Sequence, residues 1–189
     1  MVGVLPNTLE VEGVEYDINS DFRLCLLAIV AMDDIGFSDS SGIDFALDVI
    51  FGKENMSKIK NKTEAGVKMM WFLSSGKELE SKDEADPFSP PLVDWEQDER
   101  LIFTGIAGKI GRDIRMDEYC HFWTFMAYFH SMSDCAFTDV KSIRYKMAKK
   151  IKLEKSEQDF YRRNREIVDI KRDTQEREDL FNQVFGVQV

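Results

Sequence analysis

The stretch Tyr119-Cys-His-Phe-Trp-Thr-Phe-Met-Ala-Tyr-Phe129 decides the fold class. It holds neither Gly nor Pro, and its apolar residues recur at helical spacing. Tyr119, Phe122, Trp123, Met126 and Phe129 share one face of a helix. Phe125, Ala127 and Tyr128 cover much of the rest. The spacing predicts a helix capped by Asp117, with the five-residue face as a core stripe.

Helical signals continue on both sides. Downstream, Thr138 is placed to cap a helix whose stripe is Val140, Ile143, Met147 and Ile151. Ser156 opens another, with Phe160, Asn164, Ile167 and Lys171 in line. Asp173 or Thr174 opens a last one, in which Leu180, Phe181, Val184 and Phe185 cluster. Upstream, Asp94 and Gln97 cap a helix carrying Trp95, Leu101, Ile102, Ile106 and Ile110. Its Gly105 and Gly108 permit close approach of a neighbouring helix. Asn61 with Glu64 marks the start of a helix that stops at Gly76. Ile43, Ala46, Leu47, Ile50 and Phe51 form one amphipathic face, opened by Ser40 or Ser41 and closed by Gly52. The segment capped by Asn19 or Ser20 and running to about Asp33 is apolar on nearly every side, so it should be the central helix. Only Leu9, Val11, Val14, Tyr16 and Ile18 alternate, around Gly13, which predicts one small β-hairpin.

The expected architecture is therefore mainly α: a single-domain helical bundle with an N-terminal β-hairpin and an extended charged C-terminal helical arm. The body spans residues 1–152 and the arm 153–189. Residues 77–93 are acidic, hold three of the four prolines and show no apolar period, so they read as a flexible surface loop.

Composition bounds the function. The chain has 189 residues and a net charge of −10. The charge is uneven: Lys141 to Asp179 carries 13 basic and 9 acidic side chains, the remainder 12 and 26. An acidic body with a basic arm suggests association between unlike surfaces. The longest apolar run, Leu24 to Met32, is far below the roughly 20 residues of a membrane span, so no membrane partner is expected. Cys25, Cys120 and Cys135 are odd in number and sit in or beside apolar stretches, which fits free thiols in a reducing compartment.

Catalytic and metal motifs are missing. His121 and His130 lie nine residues apart, and no C-x-x-C or H-x-x-x-H spacing accompanies them. Gly105-Ile-Ala-Gly108-Lys109 has the wrong spacing for a phosphate loop, and no Ser or Thr follows the lysine. Asp39-Ser-Ser-Gly42 lacks the ligands of a calcium loop. No enzyme, metal or cofactor is expected. Lys141 to Lys155 holds seven basic residues and one acid, which would suit nonspecific phosphate contact. Acids return at Glu157 and Asp159, so nucleic acid is an unfavoured partner.

Several blocks together resemble a known family. Leu9-Glu-Val-Glu-Gly13 followed by Tyr16-Asp-Ile-Asn-Ser-Asp-Phe-Arg23 is similar to the N-terminal signature of the phage "gene product fifteen" family of siphophage tail proteins. Asp94-Trp-Glu-Gln-Asp98, Leu101-Ile-Phe103, His121-Phe-Trp-Thr-Phe125, Phe137 and Ile143-Arg144 follow that family's central pattern in order and spacing, over about Leu5 to Ile170. His121-Phe-Trp carries one tryptophan where the pattern has two such aromatics.

The resemblance implies a tail assembly chaperone. Such a protein would coat the tape measure protein in the host cytoplasm before the tail tube polymerises, and would be absent from the mature virion. The alternative is a structural virion component, such as a head–tail or tail-completion protein. A chaperone of this kind covers apolar helical stripes, by helix-in-groove contact. Leu180, Phe181, Val184 and Phe185, with Arg162 and Arg163, are the expected partner or self-association surface. The cluster is too short to fold alone, and docking from subunit to subunit would give a ring or helical array. Tyr16, Asp21, Phe22, Arg23, Phe122, Trp123 and Arg144 are expected to be structural. Asp21 should sit at a helix N-terminus, with Arg23 reaching a carboxylate on a neighbouring element.

Overall fold

The structure is a computed structural model that describes residues 3–35, 40–77 and 91–171. It is mainly α with one N-terminal hairpin, as the periodicities predict. Strands β1 (Thr8–Val11) and β2 (Val14–Asp17) pair antiparallel with Val11 opposite Val14. The two-residue turn needs positive φ at both positions; Glu12 (53°) and Gly13 (76°) supply it. Glu64 stabilises that turn by accepting the Glu12 N–H at 3.2 Å, while Glu12 accepts the Asn61 N–H at 3.3 Å. The hairpin and a helix N-terminus thus satisfy each other's orphan donors.

Helix α1 (Phe22–Ile35) packs against α2 (Ser40–Phe51). Phe22, Cys25, Ala28 and Ala31 are buried, but Leu24 is 38% exposed, so α1 lines the core without being enclosed by it. Its cap is Asp21, whose Oδ1 accepts the Arg23 N–H at 3.0 Å; neither Asn19 nor Ser20 does this. Asn19 instead ties the hairpin to the end of α2, donating from Nδ2 to the Val49 carbonyl at 2.6 Å. A single turn, α3 (Lys53–Met56), leads to α4 (Lys62–Leu73), where Asn61 Oδ1 accepts the Glu64 N–H as expected.

Asp94 caps a turn that precedes α5 (Glu99–Ile110), so this helix begins later than its sequence signal. A 3₁₀ turn (Ile114–Met116) follows, then α6 (Phe122–His130). The aromatic stretch is therefore helical only from Phe122. Asp117 does not cap it; His121 Nδ1 does, accepting the Trp123 N–H at 3.0 Å. The stripe is rotated accordingly: Phe122, Phe125 and Phe129 are buried, Trp123 and Met126 are half-buried, and Tyr119 is exposed.

In α7 (Ala136–Ala148), Thr138 lies inside the helix and accepts the Cys135 N–H at 3.1 Å, a reciprocal box around Cys135. The predicted stripe holds at Val140 and Ile143 but not at Met147 and Ile151, which are exposed; Phe137 and Arg144 complete the buried face. The chain beyond is two short helices, α8 (Lys155–Arg163) and α9 (Arg165–Val168), broken at Asn164. The loop read across 77–93, apart from its ends, and the C-terminal cluster Leu180, Phe181, Val184 and Phe185 lie outside the described residues.

An aromatic core joins α1, α5, α6 and the start of α7, and a second apolar cluster of Val140, Ile143 and Val168 seats α9 on α7. The Phe22 and Phe125 rings stack at 4.8 Å, and Phe103, Trp95, Phe129 and Phe137 extend the cluster. Such pairs add about 0.5–1.5 kcal/mol each beyond the area they bury. Among the described residues no helix is long and apolar enough to cross a membrane.

Candidate functional site

Polar residues of the sequence blocks gather into two junctions, the first of them buried. In the first, Arg144 interrupts the apolar face of α7. Its Nη1 and Nη2 donate to the two Asp98 carboxylate oxygens at 2.6 and 2.9 Å. The remaining donors reach the carbonyls of Leu92 at 3.1 Å, Ile167 at 2.8 Å and Val168 at 2.7 Å. A guanidinium has five N–H groups, and all five are engaged here. Asp98 Oδ2 also accepts the Asp94 N–H. Gln97 completes the fastening, donating to the Asp169 carbonyl and accepting the Lys171 N–H, both at 2.9 Å. This junction binds residues 91–98, α7 and the described part of the arm to one another. Its donors are spent on the protein, so it holds shape and leaves nothing for a substrate.

The second junction joins the N-termini of α1 and α6. Phe22 N–H donates to the Cys120 carbonyl and Phe122 N–H to the Ser20 carbonyl, a two-way bridge. Asp21 Oδ2 accepts the Cys120 N–H at 3.1 Å. Arg23 does not reach a carboxylate on another element. It pairs with Asp21 and donates from Nη2 to the carbonyls of Arg115 and Asp117. Because His121 Nδ1 accepts the Trp123 N–H, its proton sits on Nε2, which donates to the Pro6 carbonyl at 3.0 Å. Ser20 Oγ lies 2.8 Å from the Tyr119 hydroxyl and donates to Asn7 Oδ1. Tyr16 is half-buried beside the same core.

The thiols are poor nucleophiles where they are buried. Burial, and secondarily the Asp21 carboxylate, push Cys25 far above the usual thiol range; the same two causes raise Cys120. Cys135 is half-buried at the start of α7. Among the described residues no three His, Cys, Asp or Glu side chains converge on a metal position. Arg163 is exposed, and Arg162 pairs with Asp159 on the surface of α8.

Open grooves among the described residues include two of note. One, of about 410 Å³, lies among α1, α2 and α4, lined by Met32, Ile43, Leu47, Val67, Met69 and Met70. Met69 is its buried floor, and Val67, 57% exposed, stands at its rim. A Lys62–Asp44 ion pair at 3.0 Å crosses between α4 and α2 there. The other, about 790 Å³, follows the outer face of α5. The methionine groove escaped the sequence reading because Met69 and Met70 are adjacent and give no face of their own. The signal for the Arg144 junction was present: an arginine beside Ile143 on an apolar stripe demands a buried acid.

The family model described as "Bacteriophage Gp15 protein" matches residues 1–170. No curated protein and no solved structure matches the chain.

Proposed function

The chain belongs to the bacteriophage Gp15 protein family, and from that membership we propose that it is a tail assembly chaperone. The coarser statement, a bacteriophage structural or assembly protein, follows from the family itself. The observation that carries the finer one is the methionine-lined groove among α1, α2 and α4. Methionine side chains are unbranched and polarizable, so they repack around unlike apolar partners. An amphipathic client helix would lay its apolar stripe there, with residues three and four apart as anchors. A tape measure protein is such a client: long, helical and apolar along one side until the tube encloses it. Coating it requires many copies, which is the reason to expect self-association as well.

The test is co-expression with a tape measure segment. Wild-type protein should keep the segment soluble and copurify with it. Val67→Asp and Met70→Asp place charge on the groove and should abolish that while leaving the melting temperature within a few degrees. Soluble client with both variants would defeat the assignment of the groove. Mass spectrometry of purified particles addresses the other half of the proposal. Absence from particles is expected; stoichiometric presence would make the protein a structural virion component instead.

A further inference from the structure

Two exposed faces of opposite charge stand on different elements. The first is the outer face of the hairpin. Glu10 and Glu15 sit directly opposite each other across β1 and β2. Asp17, two residues on from Glu15, shares that face. All three are exposed and make no ion pair among the described residues. Like charges directly opposite in an antiparallel pair are destabilising, so the hairpin gains nothing from this pair by itself. The first 22 residues hold no lysine or arginine to balance it. Val14 at the turn is 51% exposed, and Leu5 ahead of β1 is exposed as well.

The second face is the end of α7. Lys149, Lys150, Lys152 and Lys155 are exposed and make no ion pair among the described residues. The helix closes with the Ile151 N–H on the Lys146 carbonyl at 2.7 Å and the Lys150 N–H on the Met147 carbonyl at 3.0 Å. That closure puts a left-handed residue after the helix, where glycine is usual; here it is Lys150, at φ 55°. Lysines near the last turn suit the helix dipole, but Lys155 opens α8, where the dipole disfavours a cation. Local structure therefore does not account for all of the charge. Tyr145 and Ile151, 47% and 48% exposed, bracket Lys149 and Lys150 in the chain.

We propose that these faces meet between copies of this chain: the lysine end of α7 in one copy docks on the carboxylate face of the hairpin in the next. Charge complementarity chooses the occupant. Each face sets apolar side chains beside charges of one sign, and each holds a charge that its own element disfavours. Within one chain they serve different neighbours, since the hairpin packs on α4 and α7 packs on α5 and α9. A contact between two different patches is heterologous, so it repeats into a ring or an open helical array. The contact rests on the chaperone assignment for its use, because coating needs many copies, and on the two faces for its existence. A polyanion is the less apt partner of the lysines, because the chain's net charge of −10 repels it.

The test is analytical ultracentrifugation of the full-length protein alone. Wild type should run at about twice the monomer mass or more in about 50 mM salt. It should fall to the monomer mass in about 0.5 M salt, where the screening length is a few ångströms. Glu10→Lys/Glu15→Lys and Lys149→Glu/Lys152→Glu should each be monomeric at low salt, with melting temperatures within a few degrees of wild type. Mixed in equal amounts, the two variants should assemble again, because the reversed hairpin of one meets the reversed helix end of the other. Both variants stay negative overall from a starting charge of −10, so general attraction cannot replace the specific contact. Monomeric wild type at low salt would overturn the proposal, as would assembly that either variant leaves intact. A mixture that stays monomeric would overturn it too, by showing that the two faces do not meet. Intact assembly of the lysine variant with loss of binding to single-stranded RNA would assign the lysines to nucleic acid instead. Val67→Asp should assemble like wild type, so failure here and failure of the client groove are separate results.

Discussion

Arg144 and Asp98 form a two-pronged ion pair whose side chains are only 5% and 0% exposed. The pair is the centre of the fastening that holds α9 against α5 and α7. Removing one partner strands the other charge in the interior. Asp98→Asn or Arg144→Met should therefore cost about 3–5 kcal/mol, read by urea denaturation. The double variant Asp98→Leu/Arg144→Met should recover part of that loss. It should not recover all, because the carbonyls of Leu92, Ile167 and Val168 lose their donors in any case. Amide exchange at residues 165–170 should quicken in both single variants.

The rotated aromatic stripe sets an order of costs in α6. Phe125 is fully buried and contacts Phe22, Phe103, Trp95 and Phe129. Phe125→Ala should cost about 3–5 kcal/mol. Trp123 is half-buried and lies at the rim, donating from Nε1 to the Phe72 carbonyl at 2.8 Å. Trp123→Ala should cost less than Phe125→Ala, and Trp123→Phe about 1 kcal/mol for the lost hydrogen bond. The same indole makes Gly76 irreplaceable: at φ 79°, a Cβ there would lie 2.8 Å from Trp123 Cη2. Thermal melts of the three variants check the ranking. Trp123→Ala as costly as Phe125→Ala would restore the original stripe.

The hairpin was legible in the sequence because Glu12-Gly13 and the period-two pattern are local signals. The face of α2 was legible because five apolar residues recur at one spacing. The start of α6 was not, because Asp117 is a strong capping residue by type, whereas the cap actually used, His121, is not one that sequence alone marks. Tertiary bonds decide: Asp117 is taken by Arg112, and Asp21 holds the Cys120 N–H. The Arg144 junction was half legible. Arg144 was singled out, but its acid lies 46 residues away, beyond any periodic reading. The methionine groove, built from three helices, leaves no mark on any one of them.

Gly105 and Gly108, three residues apart on α5, should respond in opposite ways. The expectation of close approach holds at Gly105, although the neighbour is the segment before α7 and not a helix. A Cβ there would meet Met132 Sδ at 2.6 Å and Cys135 Sγ at 3.1 Å. At Gly108 it would meet open space. Gly108→Ala should raise stability by about 0.5–1 kcal/mol through helix propensity. Gly105→Ala should forfeit that gain, because Met132 must swing away. Equal denaturation midpoints for the two variants would remove Gly105 from the packing argument.

His130 gives the fold a mild acid sensitivity. Burial first, then Lys77 and Lys141, hold its imidazole below the usual histidine value. A depressed value means the folded state prefers the neutral ring. The contribution is complete above the unfolded value, about 6.5, and is lost as pH falls through the folded one. The urea midpoint should therefore drop between pH 7 and pH 5. His130→Gln should remove that part of the slope and leave the midpoint at pH 8 nearly unchanged. A slope identical to wild type would assign the acid sensitivity to other groups.

Arg23 should not tolerate lysine. One Nη group pairs with Asp21 while the other serves the carbonyls of Arg115 at 3.0 Å and Asp117 at 2.5 Å. The guanidinium also lies 4.6 Å from the centre of the Phe22 ring. A lysine ammonium is a point charge that cannot span Asp21 and two carbonyls together. Arg23→Lys should therefore cost about 1–2 kcal/mol, the worth of one or two charge-assisted hydrogen bonds. Asp21→Asn keeps a capping oxygen for the Arg23 N–H and loses the charge. It should cost less than Asp21→Ala, which loses both the cap and the acceptor for Cys120. If Arg23→Lys matched wild type by calorimetry, the α1–α6 junction would rest on its backbone bridge alone, and the arginine would have to be sought at a surface.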